Sequence, residues 1–295
     1  MTTIELIKTL REQTGAGMSD CKKAIEACDG DLERASDWLR EKGISKAAKK
    51  ADRIAAEGLS GVLVEGNTAV VVEVNSETDF AAKNEMFRDL VKGIEKAVLA
   101  GKPTTMEEAL VCKMESGETV NDAVVNATSV IGEKLSFRRF EVVTKTDADS
   151  FGTYVHFNNK DTALVVVSNC TDAEVANDVA MQVVGLSAVY ISKNHIPAEV
   201  LERETSVQTE IAKNDPKLAN MPADRMANVI AGKVNKVLSE SCLYSQALIK
   251  DPTLTVEKYV AKNGGTVTTM LRYTVGEGMQ KREENFAEEV AKQMK

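Results

Sequence analysis

Histidine is nearly absent from this chain, His156 and His195 being the only two, and its five cysteines (Cys21, Cys28, Cys112, Cys170, Cys242) are scattered without a CxxC pair. No zinc-ligand spacing is readable from such a set, and the thiols read as reduced, mostly structural groups. No run approaches the roughly 18 consecutive apolar residues that suggest a membrane span. The start MTTIELIKTL lacks a signal-peptide core and carries an acid, so a cytoplasmic address is expected. No Walker A pattern appears, which removes the usual nucleotide-hydrolysis loop. A cationic excess is also missing: the net charge of −8 argues against direct nucleic-acid binding and favours protein partners. Aromatics make up only 4% of the chain. Cores must then be built from plentiful Ala and Val, which favours helices around small sheets, and 295 residues are enough for two or three packed units.

Strong punctuation divides the first 43 residues into three short helices, TIELIKTLREQ, MSDCKKAIEAC and DLERASDWLREK. Thr14-Gly15-Ala16-Gly17 and Asp29-Gly30-Asp31 separate them, and Gly43 is expected to close the third. Ile4, Leu6, Ile7 and Leu10 can face Ile25, Leu32, Ala35, Trp38 and Leu39 in a three-helix bundle at residues 1–45. An Ala/Lys-rich stretch at 46–58 reads as a tether, with Lys46, Lys49, Lys50 and Arg53 as a solvated basic face. LSGVLVEGNTAVVVEVN then has the β-branched density of two strands turning at Gly66-Asn67. Helical patterns follow over about 81–100 and 106–132, and SFRRFEVV adds an alternating strand, giving a β-β-α-α-β core subdomain at 59–145.

The same pattern is written twice. FGTYVHFNNKDTALVVVSNCTDAEVANDVA aligns with LSGVLVEGNTAVVVEVNSETDFAAKNEMFR so that Thr78-Asp79 matches Thr171-Asp172. Each copy returns as a strand with an arginine before an aromatic, Arg139-Phe140 and Arg272-Tyr273. Two copies are too few for a solenoid, so a duplicated α+β core with small antiparallel sheets is expected. The second subdomain, 146–278, carries an insertion at about 197–241 whose two amphipathic helices suggest an antiparallel, coiled-coil-like hairpin. A charged C-terminal helix at 279–295 closes the chain.

Little catalytic chemistry is visible. TGAGMSDCKK at 14–23 mimics a phosphate cradle but lacks the preceding strand, and a helix break explains both glycines. No nucleophile-elbow pattern accompanies either histidine. The corner EVNSETDFAAKNE is more informative. Thr78 or Asp79 can cap the next helix, as Thr171-Asp172 can in the second copy. Phe80 is not repeated there, its equivalent being Ala173. Its ring either packs inward beside the helix start or is displayed as a contact.

Together LREQTGAGMSDCKKAI, EVNSETDFAAKNE, GTYVHF and RYTVGEGMQKREENFAEEVA resemble the bacterial elongation factor Ts family, guanine-nucleotide exchange factors for the translation GTPase elongation factor Tu. The resemblance covers nearly the whole chain. It implies a ubiquitin-associated-like N-terminal bundle, two related α+β subdomains, a hairpin used for homodimerisation and a C-terminal module. It also implies a non-enzymatic protein without cofactor, which displaces Mg²⁺ and promotes GDP release by inserting Thr78, Asp79, Phe80 and Ala81 into its partner. Arg11, Gly17 and Met18 would grip the partner's G domain, His156 would reach a second partner domain, and Phe286 would assist. Read from the residues alone, Met18 is equally suited to core packing, His156 to a solvated strand and Phe286 to a helix docked on its own core. Ser19 stands where some relatives have a second methionine, which shrinks that apolar contact. Two other classes are compatible with the residues: a pure interaction module built on the N-terminal bundle, and an enzyme using His156.

Overall fold

The computed structural model describes residues 2–215, 218 and 221–280. It is an α+β protein whose chain divides into two compact units. Of the described residues, the first holds those of 2–143, 157–160 and 273–280; the second holds those of 144–156 and 161–272.

The first unit begins with α1 (Thr3–Thr14), α2 (Met18–Ala27) and α3 (Leu32–Ala48). Thr2 and Glu5 form a reciprocal capping box on α1, and Asp31 caps α3 through the amides of Glu33 and Arg34. Gly15, at φ 66°, supplies the left-handed turn that ends α1. Ile7, Leu10, Cys21, Ala24, Ile25, Cys28 and Ala35 form the bundle's buried centre, flanked by Leu6, Leu32, Trp38 and Leu39. Two expectations fail here. Ile4 is 69% exposed, because the apolar stripe of α1 is carried by Leu6, Ile7 and Leu10 instead. Gly43 does not close α3, which runs on to Ala48, and it is buried against Ser129. The missing side chain there serves helix packing rather than termination.

Strands β1 (Glu57–Glu65) and β2 (Thr68–Ser76) pair antiparallel from Glu57↔Ser76 to Glu65↔Thr68, turning at residues 66–67, and β3 (Ser136–Thr144) lies beside β2. Every residue of β2 is buried. Val70, Val72 and Val74 enter a core with Phe87, Leu90, Val91, Ile94 and Val98 of α5 (Glu85–Gly101). The alternating positions include Glu73 and Asn75, also buried, as period-two side-chain direction requires for a strand covered on both faces. Between β2 and α5 lies a one-turn helix, α4 (Asp79–Lys83), so the helix expected from 81 is broken, with Asn84 capping α5. The stretch expected as one helix over 106–132 is likewise two, α6 (Met106–Val111) and α7 (Val120–Ile131), each capped by a threonine, Thr105 and Thr119.

The second unit repeats the plan. Strands β4 (Ser150–Val155) and β5 (Asp161–Ser168) pair antiparallel, β6 (Thr266–Thr274) lies beside β5, and α8 (Ala173–Gly185) packs on β4 and β5. A Cβ on Gly152 would stand 1.9 Å from the Ala176 carbonyl oxygen, so glycine is what lets α8 sit directly on the strand. Helices α9 (Ala198–Lys213) and α10 (Ala223–Glu240) pack against each other as the expected pair, and α11 (Val256–Lys262) precedes β6. No helix among the described residues is long and apolar enough to cross a membrane.

Candidate functional site

The corner after β2 is built from short-range capping and one long-range clamp. Thr78 is the N-cap of α4, its hydroxyl oxygen accepting from the Ala81 amide at 3.2 Å. The same hydroxyl donates to Glu133 Oε1 at 2.6 Å, and the Thr78 amide donates to Glu133 Oε2 at 2.9 Å. The exchange is reciprocal: Glu77 Oε1 accepts from the Lys134 amide at 2.6 Å and from Arg53 Nη1 at 3.1 Å. Ser76 Oγ donates to the Thr78 carbonyl at 2.9 Å. Two carboxylates on two loops therefore hold each other's backbone, and charge-assisted bonds of this kind are the stronger class.

This rigid turn presents Phe80 at 79% exposure while Ala81 and Ala82 are buried beneath it. Its ring is displayed and does not pack inward. Lys83 Nζ lies 5.6 Å from the ring centroid and bonds Asp79 Oδ2 at 2.6 Å. That hydrogen bond, helped by the charges of Lys83 and Lys160, holds the Asp79 carboxyl below its usual range. The corner thus shows an ionised carboxylate, a cation and an exposed aromatic ring on one turn.

The two copies differ in how they cap. In the first, Thr78 is the cap and Asp79 is the first helical residue; in the second, Asp172 itself caps α8 through the Glu174 amide at 2.9 Å. Shifting the cap back by one residue releases Asp79 from backbone duty and leaves it for Lys83. Sequence equivalence of the two Thr-Asp pairs concealed this difference in role.

Arg11, Gly17 and Met18 are all exposed around the α1–α2 turn, Met18 at 48% and outside the bundle's centre. That turn lies close to the start of α5: a Cβ on Gly15 would stand 3.2 Å from Met86 Cε. The structure thus brings the N-terminal candidates near the helix that follows the corner. His156 belongs to the second unit, exposed, with Nδ1 3.1 Å from the Tyr154 hydroxyl. Phe286 lies outside the described residues.

Sequence reading missed the clamp. Glu77, Glu133, Lys134 and Arg53 follow no hydrophobic period, and the two loops are 55 or more residues apart in the chain. Arg53 and Lys46 keep 52% and 43% of their side chains exposed, as a solvated face requires, yet each also pairs, Arg53 with Glu77 and Lys46 with Asp20 at 2.7 Å. Charge and spacing report nothing of such pairings.

A second buried site supports the sheet under the corner. Glu73 is fully buried and takes Arg138 Nη1 at 2.8 Å, Arg139 Nε at 2.6 Å and the Gly276 amide at 2.8 Å. Burial alone would push its carboxyl up, but these three donors outweigh it and hold the group below its ordinary value. Arg139 also stacks 4.1 Å above the Tyr273 ring, which links the arginine of the first repeat to the aromatic of the second. Elsewhere in this unit a cavity of about 730 Å³ opens between α3 and the α5 and α7 helices, lined by Trp38, Met86 and Met114. The displayed face of Phe80 does not belong to it.

Comparison with known families gives two matches. Residues 5–39 match the UBA/TS-N domain, which is the three-helix bundle. Residues 77–277 match Elongation factor TS, from the clamped corner through β3 and the whole second sheet to the segment bound by Glu73. That match spans more than half of the chain, and with the N-terminal bundle it shows that the chain belongs to the elongation factor Ts family, with a role in translation elongation.

Proposed function

We propose that this chain is a non-catalytic guanine-nucleotide exchange factor of the cytoplasm: it binds elongation factor Tu, displaces Mg²⁺ and promotes GDP release. The observation that carries the reading is Phe80, left 79% exposed on a turn whose backbone is clamped by Glu133. A ring held in this way enters a partner with little loss of conformational freedom.

A GTPase holds diphosphate through its phosphate-binding loop and Mg²⁺, so the factor need not touch the nucleotide. It needs only to bind better to a loop geometry that holds neither. By linkage, whatever affinity the factor loses to bound nucleotide, the nucleotide loses to bound factor. Moving such an equilibrium from 1:99 to 99:1 takes about 5.5 kcal/mol of differential affinity, more than one side chain ordinarily supplies. In this reading Thr78, Asp79, Phe80 and Ala81 form the wedge, and Arg11, Gly17, Met18, His156 and Phe286 supply grip. No cofactor, nucleic acid or membrane takes part.

The α9–α10 pair is assigned to a second copy of the chain, because Leu201, Val207, Ile211 and Val237 stay 41–49% exposed on it. Sedimentation velocity at rising concentration tests that assignment, and a monomer at every concentration contradicts it. The exchange reading is tested by fluorescent-GDP release from purified elongation factor Tu. Acceleration that saturates with factor concentration is expected, and a rate equal to spontaneous release at micromolar factor overturns the reading.

A further inference from the structure

Phe80 is matched by a second aromatic that no part of the proposed wedge or grip uses. Phe157 is 81% exposed, in the connection at 156–160 between β4 and β5. Isolated apolar side chains on a surface are ordinary, but this one stands on a connection fixed from several sides. Asn158 and Asn159 adopt left-handed φ of 72° and 54°, which asparagine tolerates and most residues do not. The His156 amide closes the turn on the Asp161 carbonyl at 2.8 Å. Residues 157–160 cluster with the first unit, where the Ser60 hydroxyl donates to the Asn159 carbonyl at 3.3 Å and the Val275 amide donates to the Lys160 carbonyl at 2.8 Å. Lys160 Nζ also pairs with Glu57.

These anchors place the connection beside the corner. Glu57 forms the last rung of the β1–β2 ladder with Ser76, two residues before Thr78. Lys160, bound to Glu57, is near enough to Asp79 to help keep it ionised. Two exposed phenylalanines thus stand on anchored turns, Phe80 following the Ser76 end of β2 and Phe157 three residues before Lys160, which pairs with Glu57 at that same end of the ladder. Rigid aromatics surrounded by polar groups are what a protein surface recognises at low entropic cost.

We propose that Phe157 is an affinity-determining contact with the same GTPase that receives Phe80. Phe157 holds the complex together, and Phe80 alters the nucleotide site. The inference rests on the exchange reading and is separable from it by experiment.

The test is stopped-flow release of fluorescent GDP from purified elongation factor Tu at rising concentrations of wild type, Phe80→Ala, Phe157→Ala and Phe157→Tyr, with thermal melting and sedimentation of each. Truncating a central aromatic contact commonly weakens binding by about tenfold or more. Phe157→Ala is therefore expected to raise the half-saturating concentration about tenfold, with the plateau rate within about twofold of wild type and the melting temperature within about 2 °C. Phe157→Tyr, which keeps the ring, restores the half-saturating concentration. Unchanged half-saturation in Phe157→Ala overturns the inference and leaves the exchange reading intact. So does a loss that follows melting temperature, or a loss of self-association with normal GTPase affinity. Wild type without any acceleration overturns both.

Discussion

At the residue scale, Phe80 and Glu73 mark opposite uses of an expensive side chain. Burying a phenylalanine is worth about 1.5–3 kcal/mol, and the fold forgoes this at Phe80, which is 79% exposed. Its removal should therefore cost little stability. Glu73 is the reverse: a fully buried carboxylate held by two guanidiniums, the Gly276 amide and the Asn75 side-chain amide. Glu73→Gln is expected to destabilise by about 3 kcal/mol, the lower end for breaking a buried ion pair, because Arg138 and Arg139 keep 24% and 30% of their side chains exposed. Denaturant unfolding checks this, and a loss under 1 kcal/mol, within the range of exposed pairs, contradicts it. The pH dependence follows from the same bonds. The folded carboxyl titrates below the unfolded value of 4.5, so the unfolded state takes up protons first. Its stabilisation is present above pH 4.5 and is lost as pH falls through the lower folded value. The stability difference between wild type and Glu73→Gln should shrink over that interval.

At the element scale, α4 is only five residues long, too short to hold itself by helix propagation, and it depends on its cap and on the Glu77–Glu133 exchange. Glu133→Ala removes the acceptor for both the Thr78 amide and its hydroxyl. It should cost about 1–2 kcal/mol, since the site is only partly buried. Exchange should fall several-fold at saturation although Phe80 is untouched, because a loosened turn loses the preorganisation that the wedge needs. An unchanged plateau rate would show that the clamp serves stability alone. These elements also show what the sequence could convey. The β1–β2 hairpin, its turn at 66–67 and its repetition in β4–β5 follow from β-branched runs and turn residues close together in the chain. The break between α4 and α5 at Asn84 was not read, since apolar spacing continues across it while the cap acts through one side-chain oxygen. Gly43 misled for a related reason: a glycine at a helix end and one at a helix contact are written alike. Phe80 was singled out by its absence from the second copy, but only the fold shows its ring in solvent and Glu133 behind it.

For the whole molecule, exchange is an energetic coupling between two ligands of one GTPase, and a factor of this size can distribute that coupling over several contacts. The proposed contacts differ in position. The clamped corner and the Phe157 turn stand at one end of the first sheet, and the α1–α2 turn approaches the helix that follows the corner. Loss of a grip residue should then raise the concentration of factor required, whereas loss of the wedge should lower the rate at saturation. The most direct measurement is the saturating rate of fluorescent-GDP release from elongation factor Tu with wild type and Phe80→Ala, each melted in the same buffer. A plateau reduced at least tenfold in Phe80→Ala, with a melting temperature within about 2 °C of wild type, is the predicted result. Equal plateaus, or a plateau lost only in step with melting temperature, would contradict the assignment of Phe80 as the wedge.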